Sequence, residues 1–405
     1  MPIISELDRA GFPLKSLNPN DDLSDLVQLQ DIFKDKSIVA LGEATHGTRE
    51  FFTVKHRLIQ YLVAQMGFRT FVIEADFAGA GLMNDYISIG KGTIDSALKG
   101  LTVGFWFTQE FVELVDWMKH YNLGKAGSDQ IKFYGCDMQF AFTSATLISN
   151  GSIRLKNPLS EKAMTGLMKI SKYGFGNVSK DDSKLLIETV KELQANISQE
   201  KDSLTKQYIH TVLQTIEYAT QNDWFNKDIV RDKYMAKNSE WIYNHEGKRK
   251  MIIWAHNLHI AKDFPGNSNI LPMGGHLAKT FPRDYYSLGF GFDSGTLRGY
   301  DPLTRKAVNF VLPSVAIKNS TDFIFSQSSM SNFILDFQIA AAFPSLNSVL
   351  NERLHARSIG GQYKADKQAE GKDGTYQKFG KLYDGIIFIR KTTASHEPVY
   401  RLTSK

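Results

Sequence analysis

The chain has 405 residues, of which 22% are charged and 42% hydrophobic, with a formal net charge of +5. That balance describes a globular protein with a sizeable core and excludes a disordered chain. Lys and Glu are interspersed, as in KDSLTK and VKELQ, so there is no basic stripe for nucleic acid, and no apolar run approaches the roughly 20 residues of a membrane span. The single cysteine, Cys136 in IKFYGC, excludes an internal disulfide and a multi-cysteine zinc site and reads as a core thiol. The opening MPIISELDRAGFPLK has an early Glu and Asp and no apolar h-region. The expectation is a cytoplasmic protein without a signal peptide.

In chain order, residues 1–36 predict a short helix over Leu23–Lys34 leading to a first strand. Ile38–Leu41 is a run of four apolar residues, too short for a helix, and reads as a buried strand. Gly42 breaks it, and Glu43, Thr45, His46, Thr48 and Glu50 follow. From Phe51, apolar residues recur at helical spacing through Val54, Leu58, Ile59, Leu62 and Met66, with Gly67 as the C-cap. Thr70–Ile73 is a second strand, ending at Glu74 with Asp76 beyond. A strand, a helix and a strand over this distance form a βαβ unit, so both strands end at one edge. Residues 82–97 and 109–121 predict helices, separated by the aromatic loop LTVGFWFTQEF with Phe105, Trp106 and Phe107. Ile131–Gly135 is a third strand leading to Cys136 and Asp137.

The pattern changes from about Ser160 to His245. SEKAMTGLMKISKYG, DDSKLLIETVKELQANI and DSLTKQYIHTVLQTIEYAT each carry one apolar stripe, with no strand between them. Asp181 and Asp182 are candidate caps, and a last helix is predicted from Ile229 to Gly247. This predicts a discontinuous catalytic core (1–155 and 246–405) interrupted by a helical insertion (156–245). Lys250–Ala255 resumes the sheet and delivers His256, Asn257 and His259. YYSLGFGFDSG (285–295) predicts a strand ending in glycines. Ala307–Leu312 and Asn332–Phe337 predict two more, and Gly385–Arg390 a last one at or near an edge. Residues 357–376, rich in Gly, Lys and Gln, predict a surface loop.

Three strand ends (42–46, 74 and 256–259) therefore each bear His or Glu in a chain with ten His. In open α/β folds ligands sit at that edge. A carboxylate three residues from an imidazole on a strand-to-helix turn is the arrangement of a positioned general base. His56, His120, His210, His245 and His396 read as helix-surface, core or tail residues; His276 and His355 stay unassigned. No G-x-S-x-G elbow and no HExxH occurs, and the GxG near Gly79 lacks the full dinucleotide fingerprint. A metal site built from His46, His259 and Glu74 is the rival reading.

GEATHGTREF, the strand ending in Glu74, RDKYMAKN (231–238), AHNLH and LPMGGHL together resemble the erythromycin esterase family, in the same order over roughly residues 30–390. The resemblance implies an α/β fold: a central, largely parallel sheet flanked by helices, with a helical subdomain over an active-site cleft. It also implies hydrolysis of a macrocyclic lactone without a metal or other cofactor. It makes His46 the general base for water, with Glu74 helping to hold that base and the second histidine, His256. Glu43 and His259 fall on further motif positions. Lys55, Arg231 and Trp106 are candidate oxyanion or substrate contacts, and Asn238, seven residues after Arg231, shares its helix face. The macrolide esterases of the family carry a bulkier residue at the position of Gly47 and Arg at that of Lys55.

The expectation is thus a carboxylic-ester hydrolase opening a macrolide lactone with His-activated water and conferring macrolide resistance. Its partner is a small molecule, with no nucleic acid, no membrane and no assigned oligomer. The alternatives are a metal-dependent hydrolase of another ester at the same site, or a non-catalytic small-molecule or polysaccharide-associated binding protein.

Overall fold

The computed structural model describes residues 2–172, 178–265, 270–315, 317–363 and 373–399. It is α/β with a mostly parallel sheet and helices, the class read from the sequence. The chain divides into two compact units, one of residues 1–71, 104–131 and 245–405, the other of 72–103 and 132–244.

The first unit is built on strands β1 (Phe12–Pro13), β2 (Ile38–Leu41), β5 (Met251–Trp254), β6 (Tyr285–Asp301), β7 (Lys306–Leu312), β8 (Asn332–Asp336) and β11 (Gly385–Thr392). The order is β1-β8-β11-β6-β2-β5, with β7 on the far part of β6. β11, β6, β2 and β5 run parallel, while β8 and β1 extend the sheet antiparallel. Every residue of β2 and β5 is buried, as the continuous apolar runs IVAL and MIIW require of central parallel strands. Their register pairs Leu41 with Trp254. Gly42–Glu43 and Ala255–His256 therefore leave the sheet side by side.

The helix Arg49–Met66 follows β2. Its N-terminus is tied down by Glu50, whose carboxylate accepts the backbone N–H and the hydroxyl of Thr393, each at 2.6 Å. Gly67 ends it at φ +75°, its N–H donating to Leu62 O. Residues Phe51 to Ile59 are buried without a break, Lys55, His56 and Arg57 included. Such a helix must neutralise its own charges: Arg57 donates to both oxygens of Asp25, at 2.7 and 3.0 Å.

The second unit carries most of β3 (Thr70–Asp76) and its neighbour β4 (Lys132–Asp137). Helices Phe142–Ser149, Glu161–Ile170, Lys180–Gln199, Ser203–Ala219 and Trp224–His245 follow β4. Their apolar stripes close a core of its own, including Leu167, Ile170, Leu186, Leu193, Ile209 and Val212.

Several sequence expectations are corrected. Residues 23–34 form a 3-10 turn (Ser24–Leu26) and a short helix (Leu29–Phe33), and Pro2–Ala10 is a helix of its own. The expected helix over 82–97 is two, Ala80–Ile89 and Ile94–Gly100, because Gly90 and Gly92 turn at positive φ and Thr93 caps the second. Ser179, not Asp181 or Asp182, caps the Lys180 helix; the aspartates lie in its first turn. The last helix begins at Trp224, so Arg231 sits in its interior and not at its start. β6 does not end at Gly295 but bends there, at φ +138°, where a Cβ would lie 2.0 Å from Thr392 O of β11. β11 is interior, because β8 and β1 add outside it, an antiparallel pairing that no local pattern announces. The ends of the expected 357–376 loop form a hairpin of β9 (Leu354–Arg357) and β10 (Gly374–Gln377), with Gly374 opposite Arg357; residues 364–372 lie outside the described residues. Cys136 is buried in β4, its thiol 3.3 Å from Ile73 O.

Candidate functional site

In the first unit the turn after β2 is pinned from every side by backbone hydrogen bonds. Gly42 N–H donates to Leu288 O, Asn257 N–H to Glu43 O, Ile359 N–H to Ala44 O, and Arg298 and Ser395 N–H both to Gly47 O. Gly42 and Gly47 are glycines for want of space. A Cβ on Gly42 would lie 2.2 Å from Asn257 Oδ1, and one on Gly47 1.7 Å from Arg298 O. The bulkier residue expected at position 47 in the macrolide esterases does not fit this turn without moving β6. Asn257 bridges to β6 in both directions, donating to Phe290 O at 2.7 Å and accepting from Phe290 N–H at 3.0 Å.

This turn presents one buried carboxylate, Glu43, to three donors. Oε1 lies 2.6 Å from His46 Nδ1; Oε2 lies 2.5 Å from Lys55 Nζ and 2.7 Å from Trp254 Nε1. Burial by itself would raise the Glu43 carboxyl. The Lys55 ammonium and the His46 bond overcome that and hold it at about 2. An ionised Glu43 accepts only, so His46 Nδ1 must carry the hydrogen and His46 Nε2 is left with its lone pair. Nε2 makes no hydrogen bond among the described residues, and the side chain is 10% exposed. The imidazole stacks on Phe105 (centroids 4.1 Å, planes at 10°) and lies 5.1 Å from the His256 ring.

His256 leaves β5 and caps the short helix Asn257–Ile260, its Nδ1 accepting the Leu258 N–H at 3.3 Å. Nδ1 is therefore an acceptor, and the proton of the neutral ring resides on Nε2. His259 is half-buried on the next turn, its ring centroid 6.5 Å from that of His256.

Two residues offered as substrate contacts are placed inside the protein. Lys55 is fully buried; besides Glu43 it donates to Gly42 O at 2.9 Å and sits 3.8 Å over the Trp254 ring. Trp106 is likewise buried, against Phe52, Phe111 and Trp254. The helical spacing around Lys55 does not reveal that its helix is covered on all faces. The member of the aromatic triplet stacked against His46 is Phe105, which is half-buried.

The second unit gathers the other candidates. Arg231 donates to Glu74 Oε1 at 2.7 Å and to Asp137 Oδ2 at 2.7 Å through one nitrogen, and its Nε lies 3.1 Å from Asp137 Oδ2. Asp76, buried and close to Asp137, is pushed up to about 7 by burial and by that neighbour, although Gly79 N–H donates to it. Two carboxylates, Glu74 and Asp137, thus flank the one guanidinium, and Asp76 is raised beside Asp137. Asn238 does not stand at a surface. It is buried, donating to Cys136 O and Gln214 Oε1 and accepting from Gln207 and Gln214.

The carboxylate bonded to His46 is thus Glu43, while Glu74 holds Arg231. Asn257, read with His256 and His259 at the end of the strand, ties that end to β6, while the sequence reading does not single out Trp254 as a donor to Glu43. A Trp at a strand end carries no distinctive spacing, and only the β2–β5 register, which pairs it with Leu41, reveals its role. Among the described residues no three His, Cys, Asp or Glu are grouped to hold a metal ion, and no helix is long and apolar enough to cross a membrane.

The family model described as erythromycin esterase matches residues 63–392. The chain is 26% identical to erythromycin esterase type II of Escherichia coli, over 96% of its own length and 97% of that protein's. It is 25% identical to the Bacillus subtilis (strain 168) protein named "Putative hydrolase YbfO", over 77% of each. Among solved structures it is similar to a succinoglycan biosynthesis protein (TM-score 0.80, 24% identity, 97% of each chain). A mutant erythromycin esterase in an open conformation shares the fold at TM-score 0.68 and 16% identity, over 95% of this chain and 97% of that one. The match over more than half of the chain settles the family: this protein belongs to the erythromycin esterase family, which supports a hydrolase role.

Proposed function

We propose that the protein hydrolyses a carboxylic ester by direct attack of water activated at His46, and that its substrate is a macrolide lactone of the erythromycin type. The observation that carries this reading is the Glu43–His46 pair: a carboxylate fixed in its ionised form holds Nδ1–H and leaves Nε2 as the base. Water bound at Nε2 gives up a proton as its oxygen bonds to the ester carbonyl carbon. The tetrahedral oxyanion then expels the alkoxide, which takes the proton back from the imidazolium. Glu43 stabilises the cation that exists between those steps and does not itself receive the proton. His256, with its proton on Nε2, is assigned as donor to the developing oxyanion, and His259 supports the same turn. Glu74 and Asp137 are assigned to holding Arg231 within the helical unit.

The macrolide part rests on family membership and on the name of the E. coli relative. Incubation of the purified protein with erythromycin and with simple lactones, followed by mass spectrometry for gain of one water, tests it. Opened lactone that persists after chelator treatment supports both parts. Turnover of simple lactones alone removes the macrolide, and turnover abolished by chelator replaces this mechanism with a metal-dependent one.

A further inference from the structure

We infer that the helical unit carries a second small-molecule site, separate from the Glu43–His46 turn, that takes a neutral pyranose or a compound bearing one. A cavity of about 650 Å³ opens between the helices Lys180–Gln199, Ser203–Ala219 and Trp224–His245. Its floor is polar although it is buried. Gln207, Gln214 and Asn238 are 5%, 7% and 0% exposed and form one amide cluster. Asn238 is saturated, accepting from both glutamines and donating to Gln214 Oε1 and to Cys136 O. The glutamines are not. Among the described residues Gln207 uses one N–H and its Oε1 accepts from none, and Gln214 uses one of two N–H groups.

An apolar ligand would strand those groups without partners, so the occupant must bring hydroxyls. An acceptor and donors side by side match vicinal hydroxyls, each of which both gives and takes a hydrogen bond. The walls are apolar: Val190, Ile197 and Leu213 line the cavity, and Trp241 offers a half-buried indole whose edge contact with Phe77 (5.6 Å) holds it in place. A pyranose has this division, with hydroxyls at its rim and a flat C–H face.

The charges argue against an anion. Glu217 accepts from Tyr234 Oη at 2.5 Å and from Lys233 Nζ at 3.3 Å, and Lys237 lies 5.5 Å from the Tyr234 ring centre. Partial burial, with Lys206 and Lys237 nearby, holds the His210 imidazole below its usual value, so it adds no charge to a rim that also carries the Glu217 carboxylate. Hydrophobic walls with a few convergent polar groups are the ordinary anatomy of a small-molecule pocket.

The test is a titration of the full chain with methyl glucoside, methyl galactoside, methyl mannoside, N-acetylglucosamine and lactose, read by tryptophan fluorescence and ligand-observed NMR. Saturable binding of at least one, at millimolar or lower concentration, is expected. Trp241→Ala and Gln207→Leu should each weaken it by about tenfold or more. Gln194→Trp, on an exposed rim position that leaves the core intact, should block it while circular dichroism stays unchanged. His46→Ala should leave binding as in wild type, which separates this site from the hydrolytic one. Saturation by none of the five, or binding indifferent to Gln194→Trp, overturns the proposal.

Discussion

Lys55→Met isolates the role of the buried cation. The side chains of Lys55 and Glu43 are 0% and 1% exposed and 2.5 Å apart, so neither solvent nor salt screens the pair. Met keeps most of the stem volume, so the change is chiefly electrostatic: Glu43 loses its countercharge, Gly42 O a donor, and Trp254 the ammonium over its ring. Breaking one side of a buried pair costs about 3–5 kcal/mol, read as the change in unfolding free energy in urea, with Trp106 and Trp254 as fluorescent reporters. The loss must depend on pH. Wild-type Glu43, depressed to about 2, contributes stability that is fully present above its ordinary value of 4.5 and is lost as pH falls through 2. Without Lys55 its carboxyl protonates at higher pH, so the deficit is largest near neutrality and shrinks in acid. Lys55→Met combined with Glu43→Gln should recover most of the stability but none of the hydrolysis, because Gln cannot stabilise the imidazolium. A single-variant loss below about 1 kcal/mol, or an active double variant, refutes the reasoning.

Four further outcomes follow from the geometry. Trp254→Phe keeps the ring but removes the donor to Glu43 Oε2 at 2.7 Å. It should shift the acidic limb of the pH–rate profile upward with the fold retained. Gly47→Ala drives a Cβ into Arg298 O and should destabilise by about 1–3 kcal/mol in thermal unfolding, reducing activity with it. Asp76, raised to about 7, binds a proton in the folded state between its ordinary 3.8 and 7, so this group makes stability fall as pH rises across that window. Asp76→Asn should therefore gain on wild type in alkaline denaturation curves relative to acidic ones. Asn238→Leu breaks four side-chain hydrogen bonds in the helical unit and should cost about 2–4 kcal/mol in urea unfolding.

What could be read in advance was what local chemistry writes into contiguous residues. β2 and β5 follow from apolar runs, the Gly67 cap from the break in helical period, and the Glu43–His46 pair from a three-residue spacing on a turn. What escaped depends on residues far apart in sequence. The interior place of β11 is set by β8, which ends 49 residues before it, and by β1 near the start of the chain. The burial of Lys55 and Trp106 follows from packing of Phe52, Phe111 and Trp254 around them. Trp254 as a donor to Glu43 emerges only from the pairing of Leu41 with Trp254.

The most direct test compares kcat/KM for ester hydrolysis by wild type and His46→Asn, both shown to be folded, in water enriched in oxygen-18. The account predicts a loss of at least about a hundredfold in the variant, and label that enters the product acid while the wild-type enzyme's own carboxylates stay unlabelled. Equal turnover by His46→Asn, or oxygen-18 recovered in a protein carboxylate, would contradict direct activation of water by His46.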